Sequence, residues 1–187
     1  MNFKPFLELK NKHAFFSPSK HTWIHWDRDK IITSWNNFKA AERGTELHEF
    51  AEKAIKFGIK LQDSKSTLGM YVNDAIDYKM TPEVALYYSD NCFGHADAVC
   101  FRRKKLRIFD LKTGLVAPGS MDQLLIYAAL YCFTYYVDHR SIKYDLRIYQ
   151  FDQATCYEPT GDEIAEIMDI IIDSDAVVEM LKGEEIL

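Results

Sequence analysis

Residues 95–112 read HADAVCFRRKKLRIFDLK. Two apolar runs flank the basic tetrad Arg102–Lys105, and short runs separated by so few residues read as an antiparallel hairpin. With Phe101 and Leu106 closing the loop, or with a tight turn at Arg103–Lys104, facing residues have numbers summing to 207. Asp97 then falls opposite Asp110, with Cβ atoms about 5 Å apart, a placement that destabilises two like charges. Asp110 and Lys112 are two apart, so they leave a strand on one face. Facing carboxylates among apolar neighbours call for protonation or for cations among them. Lys112 supplies one positive charge, and a divalent metal with oxygen ligands would supply two more. A bulge that moves Asp97 aside, or a solvent-facing pair, is the competing reading.

EVALYYS (83–89) and CFGHADAVCF (92–101) read as strands preceding LRIFDLK (106–112). Upstream, Trp35, Phe38, Leu47, Ala51, Ala54 and Ile55 fall at helical spacing in a segment that starts at Ser34, with Gly44 as its weak point. Residues 61–82 are ambiguous, with a short helix expected around Leu68–Ile76. Residues 119–138 form a nearly all-apolar helix, 141–152 alternate as a half-buried strand, and Thr160 with Glu163 makes a capping box before a helix over 160–182. Residues 1–33 read as irregular. The order predicts one α/β domain over 1–187, with a core over about 34–152 and a mixed central sheet flanked by helices.

The bulk composition fits a folded chain: 48% hydrophobic, 27% charged, with 12 Phe, 11 Tyr and 3 Trp. No apolar run reaches the roughly 20 residues a bilayer span needs, and MNFKPFLELK lacks the apolar core of a signal peptide. A cytoplasmic location without membrane association is expected. A net charge of −5 argues against a wide basic surface but leaves room for a local one, for which residues 102–107, RRKKLR, are a candidate rim, a solvated hairpin turn being the alternative. Cys92, Cys100, Cys132 and Cys156 form no CxxC pair and do not suggest a zinc site.

GHAD (94–97) followed by DLK (110–112) across a hairpin resembles the core of the PD-(D/E)XK nucleases, whose α-β-β-β-α-β order also matches. GTELHEF (44–50), through Gly44 and His48, is similar to the G-x-x-x-H motif of the RecB-type branch. QLLIY (123–127), through Gln123 and Tyr127, is similar to its Q-x-x-x-Y motif. The resemblance implies a restriction-endonuclease-like fold in which His48, Asp97, Asp110 and the Leu111 carbonyl bind Mg²⁺ or Mn²⁺. Lys112 would then orient or deprotonate the attacking water, and Gln123 and Tyr127 would contact DNA or buttress the lysine. No cysteine precedes His48, so the iron–sulfur cluster of one subgroup is not expected.

The implied activity is that of a stand-alone, phage-like DNA exonuclease, working 5′ to 3′ in recombination, repair or phage DNA processing, in the host cytoplasm if phage-encoded. DNA ends or single strands are its substrates, a single-strand annealing or binding protein is a possible partner, and a homo-oligomer is possible. A structure-selective endonuclease, or a non-catalytic DNA-binding or protein-interaction module, is the alternative. Lys39, Arg43, Lys53 and Lys56 are candidate phosphate contacts. Trp23, Trp26 and Trp35 would pack in a core or stack an unpaired base.

Overall fold

A computed structural model describes residues 14–114 and 119–184. The chain divides into two compact units, with the boundary after Thr45. In the first, a 3₁₀ helix spans Pro18–His25 and helix α1, Arg28–Phe57, begins. The start of α1 lies six residues before the expected Ser34. Asp27 sets it, since its Oδ1 accepts the Lys30 amide at 2.8 Å. The expectation of an irregular 1–33 is thus corrected over 18–33, while residues 1–13 lie outside the described residues. Phe15 meets the rings of Trp35 at 5.1 Å and Phe38 at 5.4 Å, and Phe16 meets Trp23 at 5.1 Å. These aromatics pack against one another.

The second unit is α/β. After α1 come α2 (Thr67–Asp77), β1 (Thr81–Ser89), β2 (Cys92–Arg102), β3 (Lys105–Leu111), α3 (Met121–Tyr135), β4 (Lys143–Gln150), β5 (Gln153–Tyr157) and α4 (Gly161–Glu184). The five strands lie in sequence order in one sheet. Neighbours are antiparallel except β3 and β4, which run parallel and are connected through α3, the crossover that parallel pairing demands. The sheet is mixed, as expected. The strand expected over 141–152 is shorter, and β5 was not foreseen.

Alternation along β3 divides the core. Leu106 and Ile108 join Leu124, Ala128, Leu146 and Ile164 in the cluster that α3 and α4 cover. Phe109 and Leu111 point the other way, joining Ala51, Ala54, Tyr71, Val72 and Tyr149 under α1 and α2. Burying one such large side chain contributes roughly 1.5–3 kcal/mol, so two filled faces fix the height of every strand. Thr160 and Glu163 form the expected capping box at α4: the Glu163 amide donates to Thr160 Oγ1 at 3.2 Å, and the Thr160 amide donates to Glu163 Oε2 at 2.9 Å. No helix among the described residues is long and apolar enough to cross a membrane.

Candidate metal centre

The hairpin register is the one read from the basic turn. Ala98–Phe109 through Arg102–Lys105 all pair with numbers summing to 207. Arg103 and Lys104 take φ of 52° and 56°, the left-handed conformation that a two-residue hairpin turn requires. The ladder stops at Ala98–Phe109, and Asp97 and Asp110 stand one step past it. There the Leu111 amide donates to Asp97 Oδ2 at 2.8 Å. A side chain thereby takes over a donor that a continuing ladder would have given to the β2 backbone.

Asp110 is 2% exposed. Lys112 Nζ donates to its Oδ1 at 3.1 Å and lies 3.0 Å from Oδ2. Oδ2 is nevertheless buried without a hydrogen bond of good geometry. Lys112 Nζ also donates to Gln123 Oε1 at 2.8 Å, and Gln123 Nε2 stands 3.5 Å from the Tyr127 hydroxyl. Gln123 and Tyr127, one turn apart on α3, therefore back the lysine. Two glycines make the room. A Cβ on Gly94 would sit 3.0 Å from Tyr127 Cε1, and one on Gly119 would sit 3.0 Å from Lys112 Cγ.

His48 Nδ1 of α1 lies 3.5 Å from Asp97 Oδ2. Glu52, one turn on, pairs with Lys56 instead of the imidazole. The residue that sequence reasoning missed is Glu83. It sits in β1 between the pairs Pro82–Ala98 and Val84–Ala96, hence facing Asp97, and takes φ of 52°. Such a conformation costs a non-glycine residue about 1–2 kcal/mol, and here it belongs to a cluster: His48, Glu83 and Asp97 each offer a ligand atom, all within 4.8 Å of one another. Asp110 is not within that trio, but it is close enough to repel Asp97. Burial first, and then the Asp110 charge, push the Asp97 carboxyl up to about 6, against the opposing pull of the Leu111 amide and His48. Burial together with the charges of Asp97, Glu83 and Asp110 also holds the Tyr71 hydroxyl well above its ordinary range.

One imidazole nitrogen and the carboxylate oxygens of Glu83 and Asp97, with Asp110 beside them, make a donor set that fits a hard divalent cation. The nitrogen tilts preference from Mg²⁺ toward Mn²⁺. The expected residues His48, Asp97, Asp110, Lys112, Gln123 and Tyr127 come together at one end of the β2–β3 pair, and Leu111 adds its amide. The chain matches no protein-family model and no curated protein.

Proposed function

We propose that the protein is a metal-dependent deoxyribonuclease of the PD-(D/E)XK superfamily, RecB-type branch, acting as a 5′ to 3′ exonuclease at DNA ends. The observation that carries this reading is the convergence of His48, Glu83 and Asp97 within 4.8 Å, beside a buried Asp110 that is ion-paired with Lys112. His48, Glu83, Asp97 and Asp110 would hold the ion. A bound Mg²⁺ or Mn²⁺ polarises a phosphoryl oxygen and lowers the pKa of bound water. Lys112, fixed between Asp110 and Gln123, orients the water for attack on phosphorus and stabilises the charge that develops on the phosphate oxygens. Gln123 and Tyr127 keep that ammonium aimed, and Gly94 and Gly119 admit the side chains that do so.

Digestion of end-labelled linear DNA and closed circular DNA, in Mn²⁺, Mg²⁺ or EDTA, tests this reading. Loss of linear DNA alone, abolished by EDTA, is expected. Nicked circles would make the protein an endonuclease on the same core. Absence of metal-dependent loss of either substrate would contradict the proposal.

A further inference from the structure

We infer that a cleft at the β1–β2 edge, bordered by the β2–β3 turn, is a subsite for an unpaired strand of nucleic acid. The cleft measures about 370 Å³ and is lined by Lys79, Thr81, Val99, Phe101, Arg102 and Tyr135, among others. Phe101 meets the Tyr131 ring at 5.7 Å, and Tyr131 meets the Tyr135 ring at 4.6 Å. The two ends of this row are only partly covered, with Phe101 39% and Tyr135 50% exposed, while Tyr131 between them is buried. Unpaired bases stack on such faces whatever their identity.

Charge points the same way. In a chain of net charge −5, five cations gather around this end of the sheet. Lys79 and Arg102 line the cleft, and Arg103 and Lys104 form the turn beside it. Lys143 starts β4, its amide donating to the Lys104 carbonyl at 2.8 Å. Among the described residues no carboxylate stands within ion-pair distance of these five side chains. Of the four cations expected from sequence as phosphate contacts, by contrast, the three lysines, Lys39, Lys53 and Lys56, are already matched with Glu42, Glu49 and Glu52, and Arg43 is the fourth. Unmatched cations beside aromatic faces are what a phosphate backbone carrying exposed bases requires.

The position suits the site. Val99 is two residues from Asp97 along β2, about 7 Å, and Arg102 is five residues away, about 17 Å. The inner wall of the cleft therefore lies about 7 Å along β2 from the acidic cluster. This use of the cleft rests on the nuclease reading, but its binding chemistry does not.

The test is fluorescence anisotropy in EDTA with labelled oligodeoxythymidine and with a blunt duplex. Wild type is expected to bind the single strand more tightly. Phe101→Ala and Tyr135→Ala should each weaken that binding about tenfold, and Tyr135→Ala, whose ring is half exposed, should do so with little change in thermal midpoint. Lys79→Gln with Arg102→Gln should flatten the salt dependence by about one unit per cation removed. Equal affinity for the two probes, or wild-type affinity in the aromatic variants, would overturn the subsite. If metal-dependent cleavage is intact when that happens, the nuclease reading survives without it. Weakened binding in Phe101→Ala, with no cleavage by wild type in Mn²⁺, upholds the subsite and overturns the nuclease.

Discussion

Asp97 accepts the backbone N–H of Leu111 at 2.8 Å, at the point where the strands carrying the two residues stop pairing. The carboxylate ends the ladder and opens the gap in which the acids gather. Burial also holds its own carboxyl above the ordinary carboxylate range.

Its charge has a consequence for stability. The folded Asp97 carboxyl sits at about 6, above the ordinary 3.8, because of burial and the Asp110 charge. Between these values the folded chain holds a proton that the unfolded chain has lost, so this group's contribution falls as pH rises from about 4 to about 6. Above that window its ionisation costs about 3 kcal/mol. Asp97→Asn keeps an oxygen acceptor for the Leu111 amide and removes the charge. Urea unfolding in EDTA should find the variant more stable than wild type at pH 7 by an amount of this order, with the gap closing near pH 4. A gap independent of pH would refute the assignment.

Lys112→Ala should abolish cleavage. It also leaves Asp110, whose side chain is 3% exposed, without its cation. An uncompensated buried charge is costly, and with a partly exposed partner about 2 kcal/mol is expected. Added Mn²⁺ should recover part of this loss in a thermal melt, because binding to the folded state alone raises stability. Unchanged stability in EDTA would show that the pair contributes little to the fold.

Gly94→Ala would put a methyl group 3.0 Å from the Tyr127 ring. A stability loss of about 1–2 kcal/mol is expected, from overpacking. In a Tyr127→Ala background the same substitution should cost much less. A double-mutant cycle by chemical denaturation measures the coupling, and additive losses would mean that the two residues do not touch.

The β2–β3 turn places Arg103 and Lys104 in a conformation that favours asparagine and glycine. Arg103→Asn with Lys104→Gly should raise stability by about 1–2 kcal/mol while weakening oligonucleotide binding. A gain in both properties would argue that this turn is not part of a nucleic-acid surface.

How far the sequence disclosed the site follows from these turns. Arg103–Lys104 makes a simple two-residue turn, so counting back from it gives the true register and brings Asp97 to Asp110. The β1–β2 turn misleads. Ser89 pairs with Cys92, a sum of 181, but an irregularity between Tyr87 and Ser89 changes the rest of the ladder to 180. Counting from that turn sets Val84 opposite Asp97; only the shifted register brings Glu83 there. Strand β5 was hidden similarly. Phe151 and Asp152 turn with φ of 54° and 53°, conformations their residue types do not advertise, and the strand that follows is exposed throughout. Helices α3 and α4 were legible because an apolar run and a capping box signal their own ends.

Direct measurement of Mn²⁺ binding, by calorimetry or by the paramagnetic signal of the free ion, tests whether His48, Glu83 and Asp97 hold a divalent cation together. Wild type should take up Mn²⁺ at a site competed by Mg²⁺, and Glu83→Gln, Asp97→Asn and His48→Ala should each weaken it at least about tenfold while remaining folded. Mn²⁺ uptake of equal strength in wild type and all three variants would contradict a shared metal centre at the end of β2 and β3.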